Sequence, residues 1–172
     1  MSRAIKDDGI KVRGFFRLKI VEDRGKSGKL LKKPKVVNKN WKDWNSNTIV
    51  DGGFQQFLQF ALIASAGSKT VNYAAIGTGT APASGATTLP GELTDAATCR
   101  CLVSTGTSGS KTVSFTFTLA SGIITAQRTI SNVGLCNGST TNAGTLFAGS
   151  TYTASTLALN QAVNGTYQIS FS

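Results

Sequence analysis

The chain has 172 residues and a mass of 17.9 kDa, which favours one domain, two at most, and a core that buries roughly 70% of the unfolded surface without staples. It contains no histidine, eight acidic residues and 18 Lys and Arg, for a net charge of +10. That composition excludes Ser/His/Asp and Cys/His triads and all histidine-bearing metal sites, and it leaves few carboxylates for paired acid–base chemistry.

Charge is concentrated at one end. Residues 1–44 hold 14 basic and five acidic side chains, a net of +9, whereas residues 45–172 hold four and three, a net of +1. The sequence therefore divides into a basic N-terminal arm and hairpin (1–44) and a neutral body rich in Ser, Thr and Gly (45–172). Such asymmetry points to a partner of opposite sign, an acidic protein surface or nucleic acid, against the plainer reading of a solvated basic face. No signal-peptide pattern opens the chain, and the apolar stretch at 60–66 is too short to span a bilayer. A reducing cytoplasm is the expected place of synthesis.

From Ile10 to Val21, apolar side chains at Ile10, Val12, Phe16, Leu18 and Ile20 alternate with Lys11, Arg13, Arg17 and Lys19. Period-two alternation predicts a half-buried strand with a row of positive charge on its outer face. Turn residues at 24–28 lead to a returning strand at 30–37, which Pro34 and its lysines (Lys29, Lys32, Lys33, Lys35) confine to a sheet edge. An Asn-rich stretch carrying Trp41 and Trp44 follows. Phe54, Phe57, Leu58, Ala61 and Leu62 then have the spacing of one helical face, predicting a helix near 52–66 with Asp51 as N-cap and Gly67 as its stop. From Thr70 the pattern is β. Residues 71–76 form a strand, 77–91 a long loop, 113–119 a strand with strict alternation, and 167–171 a closing strand. The expected fold is mainly β, a β-sandwich or jelly-roll-like barrel with one amphipathic helix and an N-terminal basic β-hairpin.

Candidate chemistry is sparse. Gly77-Thr78-Gly79-Thr80 lacks the Gly-Lys-Ser/Thr ending of a phosphate-binding loop, and Pro82 stands where a helix should begin. Glu92 and Asp95 lie three residues apart without aromatic subsites, and with Arg100 and Arg128 they suit one or two structural ion pairs better than glycosidase chemistry. Cys99, Cys101 and Cys136 are too few for a four-ligand zinc site and lack redox spacing, so they read as buried thiols, with a bridge to Cys136 left open. No catalytic residue, metal or cofactor is expected. A basic ribbon can also enter a DNA groove, although no recognised nucleic-acid motif is present.

Taken end to end, the order of motifs resembles a widespread family of tailed-phage virion proteins. The motifs are RGFFRLKIVED, then NSNTIVDGGFQQFLQFAL, then NYAAIGTGTAPASGATTLPGEL, then ITAQRTISNVGLCNG, and finally TYQISFS, together spanning most of residues 11–172. Two departures stand out. Asn132 and Val133 occupy the place where family members often carry an acidic residue, and the lysine-rich hairpin is more basic than the pattern requires. The resemblance implies a non-enzymatic, β-rich virion component assembled in the host cytoplasm, of the decoration, head-fibre, tail-fibre or tail-adaptor type. Its partners would be the major capsid protein or tail and collar proteins, it would be a homo-oligomer, and it would have no membrane partner. The expected docking residues are Lys11, Arg13, Arg17, Lys19, Lys32, Lys33, Lys35, Trp41 and Trp44, with capsid decoration preferred over a tail, collar or fibre-base role. A basic DNA-binding protein is the alternative of another class.

Overall fold

A computed structural model describes residues 11–62, 69–95, 99–107 and 109–172. The strands are β1 (Val12–Arg24), β2 (Leu30–Val36), β3 (Asn45–Ser46), β4 (Thr48–Ile49), β5 (Tyr73–Gly77), β6 (Cys101–Leu102), β7 (Ser104–Thr107), β8 (Thr112–Leu119), β9 (Arg128–Cys136), β10 (Leu146–Leu157) and β11 (Gln161–Phe171), with a helical segment, α1 (residues 51–62), after β4. They form two antiparallel sheets. The first runs β2-β1-β11-β8-β7 with β3 also paired to β1, and the second runs β4-β10-β9-β5-β6. The expected mainly β sandwich with one short helix and a basic hairpin is the fold observed.

The alternation in β1 places Phe16, Leu18 and Ile20 inward, where they join Phe115, Phe117, Tyr167 and Ile169 of the first sheet. Opposite them stand Ile76, Ile130, Leu135 and Phe147 of the second. Phe16 stacks on Tyr167 at 5.8 Å and meets Tyr152 edge-on at 5.7 Å. Each such fully buried side chain contributes roughly 1.5–3 kcal/mol. Because β1 pairs with β11 from Val12↔Phe171 to Glu22↔Gln161, the basic strand is built into the sheet and shares the core of the neutral body. Gly165 of β11 is required by close approach, since a Cβ there would lie 2.0 Å from the Phe117 ring.

The long loop closes on itself through the Gly77↔Glu92 bridge and the Thr78 N–H bonded to Gly91 O at 2.9 Å. It covers the outer side of the second sheet, where Leu89 packs with Val50, Ala75, Cys136 and Leu146 in a second apolar cluster. Asn132, fully buried, fastens this loop by donating to Thr80 O (2.9 Å) and Pro90 O (2.7 Å). Asn132 therefore acts as an amide donor that holds the loop to β9.

Two helix expectations are corrected. Val50, not Asp51, is the N-cap, because its carbonyl accepts from Gly53 and Phe54 while its own N–H is tied to Phe147 O of β10. Asp51 is the first helical residue. The predicted apolar face also fails to hold together. Residues 54–59 are π-helical, and i→i+5 bonding widens the turn, so Phe57 is buried while Phe54 and Ala61 face solvent. The Ile10 end of the predicted first strand, the helix residues 63–66 and the Gly67 stop lie outside the described residues.

Cys101 sits in the inter-sheet core and Cys136 in the outer cluster, on opposite faces of the second sheet, so no bridge joins those two. Burial pushes both thiols up to about 12. Cys101 and Cys136 are therefore expected to react with a thiol-specific disulfide reagent at about pH 8 only as the protein unfolds, because the thiolate is the attacking species. Rapid labelling of either residue in folded protein would contradict this placement.

Candidate functional site

Docking chemistry has to sit on a rigid, exposed surface, and the outer row of β1 provides one. Arg13 is exposed, while Phe15, Arg17 and Lys19 are half-buried. After β2 the chain returns as a strap, residues 37–45, across the edge of β1. The strap is clipped by Asn38, whose Oδ1 accepts from Ile20 N–H and whose Nδ2 donates to Leu18 O, both at 2.8 Å. An amide side chain thus continues the ladder where a strand would otherwise be needed.

The clip places both tryptophans over the cations of β1. The Arg17 guanidinium lies 4.7 Å from the Trp44 ring centroid, and the Lys19 ammonium lies 4.8 Å from that of Trp41. Lys42 approaches Trp41 at 5.4 Å. Each contact is worth about 0.5–1 kcal/mol at an exposed site, enough to fix ring orientation without neutralising charge. Trp44 remains 41% exposed.

Of the residues singled out from sequence, the structure brings Arg17, Lys19, Trp41 and Trp44 into one patch. Arg13 lies farther along the same row, and exposed Lys11 is tied by its backbone to Ser172. Lys32, Lys33 and Lys35 form a separate exposed group, because β2 pairs only with the far end of β1, from Val21↔Val36 to Arg24↔Leu30. That end lies roughly 16 Å along the strand from Arg17 at about 3.3 Å per residue. Sequence reasoning missed Lys42 and Asn38. The charge of Lys42 beside Trp41 was a usable signal, whereas the role of Asn38 depends on a contact with a strand 18 residues earlier.

Beyond β1 the same face turns neutral. Arg17 stands beside Thr166 and then Thr116, and Lys19 beside Asn164 and then Thr118, with Thr118 Oγ1 donating to Asn164 Oδ1 at 2.9 Å. The face is cationic and aromatic along one edge and hydroxyl-rich across the rest.

Glu92 and Asp95 are engaged structurally. Glu92 and Arg100 form a buried two-point pair. Asp95 accepts from Arg128 Nη2 at 2.6 Å and from Nε at 3.1 Å, and this guanidinium holds its carboxyl below the ordinary value. Among the described residues, no three His, Cys, Asp or Glu side chains gather as a metal centre. Among the described residues, no helix is long and apolar enough to cross a membrane. Comparisons with protein-family models, curated proteins and solved structures return no match.

Proposed function

We propose that the chain is a non-enzymatic structural component of a tailed-phage virion, a capsid decoration protein that docks on an acidic protein surface through the outer face of β1. The observation that carries this reading is the set of cation–aromatic contacts joining Arg17 to Trp44 and Lys19 and Lys42 to Trp41 on a strand locked into the sandwich. Positive charge steers and orients the encounter, and partly exposed tryptophan supplies the apolar anchor that such interfaces concentrate their energy on. The motif order of the sequence supports the virion setting, and the hydroxyl-rich remainder of the face suits contact with neighbouring copies.

Changing Lys11, Arg13, Arg17 and Lys19 together to Glu should lower particle occupancy by about tenfold or more while the isolated protein keeps its β circular-dichroism signature. Unchanged occupancy would remove the docking role. Quantitative mass spectrometry of purified virions then places the protein. A fixed ratio to the capsid subunit, on the order of hundreds of copies, supports decoration, whereas about six to a few dozen moves it to the tail, collar or fibre base. Absence from particles, together with duplex-DNA binding that weakens steeply with salt, would transfer the same basic face to nucleic acid.

A further inference from the structure

The strap that carries the tryptophans over the outer face of β1 also walls a groove on the other side of that strand's edge. The groove measures about 630 Å³ and lies between the strap and β10, within the size range of small-ligand sites. It exists because β10 leaves its partner. The register against β9 shifts between Thr151↔Asn132 and Ser155↔Ile130, so Tyr152, Thr153 and Ala154 stand opposite Ser131 alone. β4 pairs with β10 only at Ala148 and Gly149, which leaves the edge of β10 uncovered beyond that point.

Val37, Ala154 and Ala158 supply the groove's accessible apolar surface above the buried Leu18 and Ile20, and Asn40, Gln127, Thr153 and Thr156 supply neutral polar side chains. Its charged lining residues, Lys39 and Asp43, are of opposite sign. In the wall, Tyr152 is held edge-on against Phe16, and its buried hydroxyl has no hydrogen-bond partner.

We infer that this groove is a binding site for a neutral saccharide. Amide and hydroxyl side chains offer both donors and acceptors, which matches a ligand whose every polar group does the same. The aliphatic surface suits the C–H face of a pyranose ring. Balanced charge gives the groove no preference for phosphate or carboxylate, and an anionic ligand is drawn instead to the outer row of β1. An apolar peptide would need more than Val37 and two alanines to bury itself. The inference does not rest on the virion reading, because the groove and the cationic row face opposite sides of β1.

The test is an array of short neutral oligosaccharides of hexose and N-acetylhexosamine, printed beside anionic ones and probed at about 0.05 and 0.5 M salt. Neutral glycans should bind equally at both concentrations. Ala154→Arg, at an exposed position, should abolish that binding by filling the groove. The quadruple Glu variant at β1 should bind neutral glycans as well as the parent does, which separates this site from docking. Absence of neutral-glycan binding overturns the inference, as does binding that survives Ala154→Arg. Recognition confined to anionic glycans and erased by salt also overturns it, and assigns the contact to the basic face.

Discussion

Replacing Arg100 with alanine should destabilise the protein by about 3–5 kcal/mol, lowering the unfolding midpoint by on the order of 10 °C for a chain of this length. Arg100 and Glu92 are 6% and 7% exposed. Arg100 Nε donates to Glu92 Oε1 at 2.6 Å, and Nη2 donates to Oε2 at 2.9 Å. Its Nη1 donates to Gly138 O and Ala143 O, each at 2.7 Å, so one guanidinium ties the loop at 137–145 to the segment at 92–100. Glu92 Oε2 also accepts from the backbone of Asn142, a residue held at φ 55°. Burial presses the guanidinium toward neutrality, but hydrogen bonding to Glu92 and electrostatic attraction to Cys136 and Glu92 together outweigh it, and its pKa is raised. Alanine would therefore leave a buried carboxylate facing carbonyl oxygens.

The double variant Glu92→Leu/Arg100→Met distinguishes the cost of a stranded charge from the cost of lost loop contacts. Apolar replacement of a whole buried pair is often neutral or stabilising. Here the carbonyls of Gly138 and Ala143 still lose their donor, so the double variant should recover part of the deficit and unfold above Arg100→Ala in thermal or urea titrations. Equal losses in the two would assign the whole effect to the carbonyl contacts.

The sequence revealed the first sheet far better than the second. β1, β8 and β11 each bury one face, so their alternation is visible, and with it the outward row of Arg13, Arg17 and Lys19. β9 went unread because the loop at 78–91 covers its outer side. Burial on both faces turns NVGLC into a continuous run with no period, whereas β5, also buried from Ala74 to Gly77, was legible as the strand at 71–76. β10 was hidden by its own bulge. The neutral body made pairing of Glu92, Asp95, Arg100 and Arg128 foreseeable, since few charges survive burial alone. Which partner each would take depends on how the loops fold over the second sheet. In the docking patch, the residue types were legible while their assembly was not, because nothing local shows that Trp41 and Trp44 will return to lie over Lys19 and Arg17.

That return depends on one amide, so Asn38→Ala should produce an effect nearly as large as the loss of Arg100. The variant strands Ile20 N–H and Leu18 C=O at two buried positions, at about 1–3 kcal/mol for each unpaired group, for a combined loss of about 2–6 kcal/mol. Val37 N–H still bonds Ile20 O at 2.9 Å, so the hairpin end should hold while the strap beyond it loosens. Trp41 and Trp44 would then leave Lys19 and Arg17, and their emission should shift to longer wavelength well before global unfolding in urea. If the proposed docking holds, particle occupancy should fall with it, although every basic residue of β1 is intact. Native emission and full occupancy in a variant destabilised by this amount would show that the cation–aromatic contacts hold the strap without the amide. A loss of occupancy that tracks the emission change would show that charge on β1 is insufficient, and that docking requires aromatic rings fixed above it.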